Sequence, residues 1–264
     1  MVTVGSIAAM VIGLVGIIIC QKKQKTNGNA QGLAFVFLIL ILGGAGFMLK
    51  EQGIFGGDAE MNRIIKNEIR FTEARSQIMA DYIGKTYPGQ KVVIITEDNV
   101  ENSPISKAAY EKMQAALTAA GANVVATEPI QLPESNPENP VPMEIALTAK
   151  VYNDIFDRYK DANIFVIMSQ LPFAGPEFMK LKCWKFDPKK QSVVLVNGEI
   201  YNLKNIIAKG LVSAAAAMKT GPEAYDPDKA APKDVQAAFD VRYILVTPKN
   251  IKDIVGKNPD LFAK

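Results

Sequence analysis

The chain has 264 residues, of which 48% are hydrophobic and 22% are charged, and it contains no histidine. This composition is typical of a folded protein and excludes a disordered or collagen-like chain. The lack of histidine excludes a Ser-His-Asp triad, Cys-His nucleophile activation and His-ligated zinc. With two cysteines in the whole chain, neither a disulfide framework nor a cysteine-rich metal site is available.

The distribution of charge argues against nucleic acid as a partner. Four of the 30 basic residues and one of the 27 acidic residues precede position 58, so residues 58–264 contain 26 of each kind. The long C-terminal part of the chain is therefore neutral. A neutral domain lacks the bulk attraction that drives binding to a phosphate backbone, so we expect no nucleic acid partner.

Two uncharged runs near the N-terminus predict a transmembrane helical hairpin over residues 1–52. The first run, residues 2–20, has 19 residues. As a helix it would span roughly 28 Å, close to the hydrocarbon thickness of a bilayer. The second run, residues 33–49, has 17 residues, and a polar loop at 21–32 joins the two. The lipid bilayer is therefore an expected partner.

The basic residues of the loop predict the orientation of this hairpin. Lys22, Lys23 and Lys25 lie between the two uncharged runs. Because basic loops stay in the cytoplasm, residues 58–264 would lie on the extracytoplasmic side. We therefore expect an integral membrane protein of the plasma (inner) membrane.

Small residues recur along the first of these runs. Gly5, Ala9, Gly13 and Gly16 follow one another at spacings of four, four and three, which places them on one helix face. Such a face allows another helix to approach closely. That helix is either the second one of the hairpin or one from a protein partner or a second copy of the chain.

A glycine-rich linker at residues 53–57 precedes the predicted soluble α/β domain, residues 58–264. This domain begins with an amphipathic helix over residues 58–85, because apolar residues recur there at helical spacing among charged ones. The helix either lies on the domain or pairs with a second copy as a stalk. No continuous heptad seam is clear, which favours the first interpretation.

Five apolar runs separated by helical patterns predict a single doubly wound domain with about five mainly parallel strands. A flavodoxin-like strand order 2-1-3-4-5 is expected by analogy. A helix is expected over residues 203–218, where four alanines would let it lie close to the sheet. The predicted strands are residues 91–96, 123–127, 163–169, 192–197 and 241–247.

Residues 88–200 resemble one lobe of the type I periplasmic binding proteins. The run KVVIITEDNVENSPISKAAYEKMQAALTAAGANVV looks like the opening strand, polar turn and helix of such a lobe. The runs ANIFVIMSQLPFAGPEFMKLKCW and QSVVLVNGEI are similar to its next two units. The resemblance implies a Rossmann-like fold and a role in ligand binding. The family closes two lobes around a ligand, whereas the predicted domain has the length of one.

Polar residues follow the predicted strands. In an open parallel sheet, ligands bind beyond the carboxyl ends of the strands. A second interpretation is that such residues begin turns and cap helices. The candidate ligand-binding residues are Thr96, Glu97, Asp98, Asn99, Ser169, Gln170, Asn197, Glu199 and Thr247.

The sequence offers little support for an enzymatic function. It lacks a GxGxxG motif after a strand and a GxxxxGK[ST] motif, so the usual cradle for a nucleotide phosphate is absent. Lys180, Lys182 and Lys185 could lower the pKa of Cys183, but no general base is evident. We therefore predict no catalytic residues, no metal site and no cofactor, and we lean against an enzyme.

Two functions remain open. The first is a membrane-anchored, non-catalytic α/β domain that acts as a structural or interaction component of a cell-envelope assembly. The second is a small-molecule binding or sensing domain that resembles one lobe of a solute-binding protein and is associated with transport. The hairpin and the missing catalytic residues favour the first, and the polar strand ends favour the second.

Overall fold

The computed structural model describes residues 2–23, 30–51, 57–132, 142–172, 175–226 and 229–263. The chain forms two compact units, Met1–Ile64 and Ile65–Lys264. The helices are α1 (Val2–Lys23), α2 (Ala30–Glu51), α3 (Gly57–Thr86), α4 (Pro104–Ala119), α5 (Met143–Ala146), α6 (Ala149–Arg158), α7 (Gly175–Met179), α8 (Lys204–Ala208), α9 (Val235–Arg242) and α10 (Ile251–Lys257). The strands are β1 (Lys91–Thr96), β2 (Asn123–Pro129), β3 (Ile164–Ile167), β4 (Ser192–Gly198), β5 (Val212–Met218) and β6 (Tyr243–Val246).

In the first unit α1 and α2 pack against each other through small residues. A Cβ atom at Gly16 would lie 2.6 Å from ring carbons of Phe37, and one at Gly13 would lie 2.5 Å from Ile41. Glycine is therefore required at both positions for the two helices to approach this closely. The packing of Gly5 and Ala9, predicted to share this face, lies outside what the structure describes.

The prediction of a transmembrane hairpin over residues 1–52 was wrong. Across the described part of the chain, none of the helices combines the length and the apolar character that crossing a bilayer requires. The prediction counted uncharged residues, and that count includes glycine, serine and threonine, which favour the hydrocarbon core much less than leucine or isoleucine does. Each helix also ends in charged residues, at 22–23 in α1 and 50–51 in α2. The predicted integral membrane localisation was wrong for the same reason.

The second unit contains one six-stranded sheet with the order β2-β1-β3-β4-β5-β6. All neighbouring strands from β2 to β5 are parallel, whereas β6 runs antiparallel to β5. The direction in which successive strands are added to the sheet therefore reverses between β1 and β3, with β2 on one side and the later strands on the other. In such sheets the carboxyl ends of the strands diverge at this reversal and leave a crevice.

Helices cover both faces of this sheet, so the strands are buried on both sides. Residues such as Ile94 and Val166 face α3, α4 and α9. Their neighbours Ile95 and Phe165 face α6, α8 and α10. The β-branched residues of these strands thus alternate between two apolar clusters, as expected for strands covered by helices on each side.

The predicted fold class was also wrong about residues 203–218. The helix α8 ends at Ala208, and Gly210 (φ 79°) turns the chain into β5. Ala214 and the three alanines after it are fully buried in that strand, between β4 and β6. Alanine has the highest intrinsic helix propensity, but burial between two strands outweighs a preference of this size. The sheet therefore has six strands, and the last one is antiparallel.

Candidate functional site

A cavity lies at the carboxyl ends of β1, β3 and β4, on the face covered by α3 and α4. Its volume is about 200 Å³. β1 contributes its last residue, the chain after β3 contributes Met168, and β4 contributes Asn197. The complete lining is Thr72, Arg75, Thr96, Glu97, Val100, Ile105, Ser106, Ala109, Tyr110, Met168 and Asn197.

The turn after β1 brings the start of α4 to the cavity. Asn99 adopts a left-handed conformation (φ 55°), which asparagine tolerates better than most residues, and a short 3-10 helix follows at Val100–Asn102. Ser103 then caps α4, because its side-chain oxygen accepts the backbone N–H of Ser106 at 3.2 Å. Pro104 occupies the first helical position, where no backbone donor is needed. This local sequence fixes the first turn of α4 beside the strand end.

Two polar residues of the cavity are tied to their surroundings. The Ser106 hydroxyl donates to Glu97 Oε2 at 3.0 Å, which holds the carboxylate at the amino end of α4. Anionic groups are favourable there because the helix dipole is positive at that end. The Asn197 side-chain amide donates to the carbonyl oxygen of Met168 and links β4 to the end of β3. Both side chains therefore hold fixed positions beside the cavity.

Arg75 lies on α3 and lines the same cavity. Its Nε is buried and has no hydrogen-bond partner among the described residues. Its guanidinium carbon lies 5.3 Å from the centroid of the Tyr243 ring. Burial lowers the pKa of Arg75, and electrostatic interactions with Tyr243, Glu97 and Tyr225 oppose that shift. A buried donor without a partner costs about 1–3 kcal/mol. Arg75 thus brings to the cavity a guanidinium group that has an unmet donor and no ion-pair partner among the described residues.

Three of the predicted site residues meet at this cavity. Thr96, Glu97 and Asn197 line it, as expected for polar groups at the ends of neighbouring parallel strands. Asp98 is exposed, and Asn99 lies in the turn that leads to α4. Neither of these two lines the cavity.

The other four predicted site residues lie elsewhere. Ser169 is buried on the opposite face of the sheet, where its hydroxyl lies 2.9 Å from the Tyr152 hydroxyl. The backbone N–H of Thr247 donates a hydrogen bond to Oδ1 of Asn250 at 2.7 Å, just before α10. Gln170 and Glu199 are exposed and do not line the cavity. The contact of Thr247 is local, so the second interpretation, in which polar residues after strands begin turns and cap helices, applies to this residue.

The sequence prediction missed Arg75, the residue with the most unusual environment in the cavity. On the helix, Arg75 follows Phe71 and Ala74 and precedes Met79, all of which are buried. An arginine among buried positions is unusual because a buried charge needs a partner. The position of Arg75 on the apolar side of an amphipathic helix was the feature of the sequence that could have identified it as a candidate site residue.

Two other grooves differ from this cavity in how their charges are satisfied. In a groove of about 470 Å³ beside β2 and α6, Arg158 pairs with Glu128 and Lys150 pairs with Asp154. A groove of about 250 Å³ between α3, α4 and α9 has Arg70 on its rim, exposed to water. Neither groove contains a buried unsatisfied side-chain donor within the part of the chain described.

Cys183 is not activated by the lysines near it in sequence. Its side chain is buried, and burial raises the pKa of the thiol. Lys180 and Lys182 instead pair with Glu177 and Asp157. Among the residues for which the structure gives positions, no group of three or more metal-ligating side chains occurs.

Comparison with known proteins retrieves solved structures only, since no family model and no curated protein matches the chain. A myo-inositol binding protein from Caulobacter is 16% identical over 70% of this chain and 62% of its own, with a TM-score of 0.46. A periplasmic ribose ABC transporter protein from Conexibacter woesei is 13% identical over 70% and 60%, with a TM-score of 0.45. A glucose-galactose binding protein from Geobacillus stearothermophilus is 14% identical over 71% and 54%, with a TM-score of 0.40.

These are proteins of the class that the sequence resembles, so the predicted resemblance to one lobe of type I periplasmic binding proteins is confirmed. The chain spans between 54% and 62% of the length of these three proteins. The ligands in their names belong to those proteins, and similarity at this level of identity concerns the fold.

Proposed function

We propose that this protein is a binding domain that holds a small polar molecule in the cavity at the carboxyl ends of β1, β3 and β4. The observation that carries this proposal is that Arg75 lines that cavity without an ion-pair partner and with a buried Nε that has no hydrogen-bond partner among the described residues. Buried polar groups in folded proteins are nearly always hydrogen-bonded. A ligand that accepts a hydrogen bond would complete the environment of this arginine.

The remaining lining of the cavity suits the same role. Thr96, Glu97, Ser106 and Asn197 bring hydroxyl, carboxylate and amide groups to one space, and Ile105 and other apolar side chains surround them. Apolar walls with a few convergent polar groups are the usual composition of a small-molecule site.

The size of the cavity limits the ligand. A drug-sized ligand generally occupies a pocket of about 300–1,000 Å³. This cavity, at about 200 Å³, is smaller. We therefore expect a small metabolite and not a nucleotide cofactor. This agrees with the lack of a phosphate-binding glycine motif in the sequence.

The first prediction compares two adjacent acidic residues. Glu97 lines the cavity, whereas Asp98 is exposed and does not. We expect at least one compound in a thermal-shift screen of sugars, polyols, carboxylic acids and amino acids to stabilise the full chain, because a ligand that binds the folded state raises its stability. Glu97→Gln should abolish that stabilisation, and Asp98→Asn, which makes the same chemical change, should leave it intact.

Two results would contradict the proposal. One is a screen in which no compound raises the unfolding temperature of the wild-type chain. The other is a stabilising compound whose effect persists in Glu97→Gln, since its site would then lie outside this cavity. Far-ultraviolet circular dichroism of both variants would establish that they fold before their ligand response is compared.

A further inference from the structure

The two charged side chains of the cavity indicate which class of molecule it accepts. Arg75 and Glu97 line the same space, but no ion pair joins them among the described residues. Glu97 instead accepts the hydroxyl of Ser106. Arg75 therefore lines the cavity without an ion-pair partner among the described residues, while the charge of Glu97 still raises its pKa.

The amino end of α4 lies at the same wall. The helix α4 has 16 residues, and Ile105 and Ser106 of its first turn line the cavity. The amino end of a helix carries partial positive charge and backbone donors. Because Glu97 already lies at this helix end and Ser103 caps it, Arg75 is the group in this wall that favours a ligand with a carboxylate group.

The carboxylate of Glu97 restricts the rest of the ligand. An anionic oxygen placed against Glu97 would be repelled, whereas a ligand hydroxyl could donate a hydrogen bond to it. Resting on the proposed function above, we infer that the cavity binds a small hydroxy acid, with its carboxylate at Arg75 and a hydroxyl group at Glu97. This assigns Arg75, on the helix that precedes the sheet, as the residue that selects an acid over a neutral polyol.

Pairs of compounds that differ in one group test this inference by titration calorimetry on the full chain. Lactate carries a carboxylate where propane-1,2-diol carries a hydroxymethyl group, and gluconate differs from glucitol in the same way. We expect one acid of these pairs to bind about ten- to hundredfold more tightly than its alcohol, the range for a charge-assisted hydrogen bond. Arg75→Gln should remove this preference, and Arg75→Lys should retain part of it.

Arg70 provides the matched control. It lies on the same helix and carries the same charge, but it is exposed and lines a different groove. Arg70→Gln should therefore leave the preference for the acid unchanged. An equal loss in Arg70→Gln and Arg75→Gln would overturn the inference, because the preference would then reflect overall charge.

A second measurement needs no ligand. If the role of Arg75 is to bind a ligand, its buried charge destabilises the protein when no ligand is present. Arg75→Met should then unfold at the same temperature as the wild type or at a higher one. If Arg75 serves the fold, for example through its contact with Tyr243, the same substitution should lower the unfolding temperature. A clear decrease would overturn the inference.

The remaining outcomes separate this inference from the proposed function. Equal binding of acids and alcohols, or binding of neutral polyols alone, would overturn the hydroxy acid inference and leave the binding site standing if Glu97→Gln abolishes that binding. The same holds if none of the four compounds binds but a compound that is not a hydroxy acid stabilises the wild type and not Glu97→Gln. Failure of every compound to bind would reject both.

Discussion

Gly198 permits the close approach of β4 and β5. A Cβ atom at this position would overlap the carbonyl oxygen of Ala216. The register between the two strands also shifts between Leu195 and Gly198, so the chain here departs from a regular ladder. Because Asn197 directly precedes this point, the space at Gly198 contributes to the position of a residue that lines the cavity.

Gly198→Ala should therefore destabilise the fold. The added methyl group would meet backbone atoms, which cannot move aside as a flexible side chain can, and overpacking of this kind costs about 1–3 kcal/mol. Chemical denaturation of the full chain would measure the change in the free energy of unfolding. Gly256→Ala is the matched control, because a Cβ there meets no atom within 4 Å and alanine favours the helix α10. Equal stability of the two variants would contradict this account.

At the scale of elements, α3 is held against the end of the sheet by a partly buried ion pair. Arg242, at the junction of α9 and β6, donates two hydrogen bonds to Glu68 of α3, at 2.5 and 2.7 Å. Its guanidinium carbon also lies 3.7 Å from the centroid of the Phe71 ring. The next residue, Tyr243, lies under the guanidinium of Arg75. The junction thus contacts α3 at positions 68, 71 and 75, which recur on one face of the helix.

Removal of the charge on Glu68 should destabilise the protein and displace α3. In Glu68→Gln the guanidinium of Arg242, which is 4% exposed, would lose its carboxylate partner. Breaking a buried pair costs about 3–5 kcal/mol, and we expect roughly half of that because Glu68 is partly exposed to solvent. Glu60→Gln removes an exposed carboxylate paired with Arg63 on the same helix and should cost less than about 1 kcal/mol. Urea denaturation of both variants would check this, and equal losses would contradict it.

Strands rich in β-branched residues could be predicted from the sequence, and a strand of alanines could not. The predicted strands at 91–96 and 192–197 lie within one residue of β1 and β4, because their valines and isoleucines suit burial on both faces of a sheet. In β5, four consecutive alanines carry a local preference for helix, and contact with β4 and β6 overrides it. Local patterns do not contain this information, because it depends on which strands are neighbours.

The candidate site could be predicted in the same partial way. A parallel sheet places the carboxyl ends of its strands along one edge, and this sufficed to find Thr96, Glu97 and Asn197. This rule did not distinguish these three residues from Ser169, whose side chain points to the other face of the sheet, or from exposed residues further along the loops. Prediction of Arg75 as a site residue would have required knowledge of which helix lies over the crevice, and that is a property of the assembled fold.

For the whole molecule, the central claim is that a small polar ligand binds where β1, β3 and β4 end beneath α3 and α4. Hydrogen exchange of the full chain, measured by mass spectrometry with and without the most stabilising compound, tests it most directly. We predict slower exchange in peptides that cover 72–75, 96–110 and 168, with no change around 145–158. Protection confined to the groove beside β2 and α6, or no protection in any peptide, would contradict the claim.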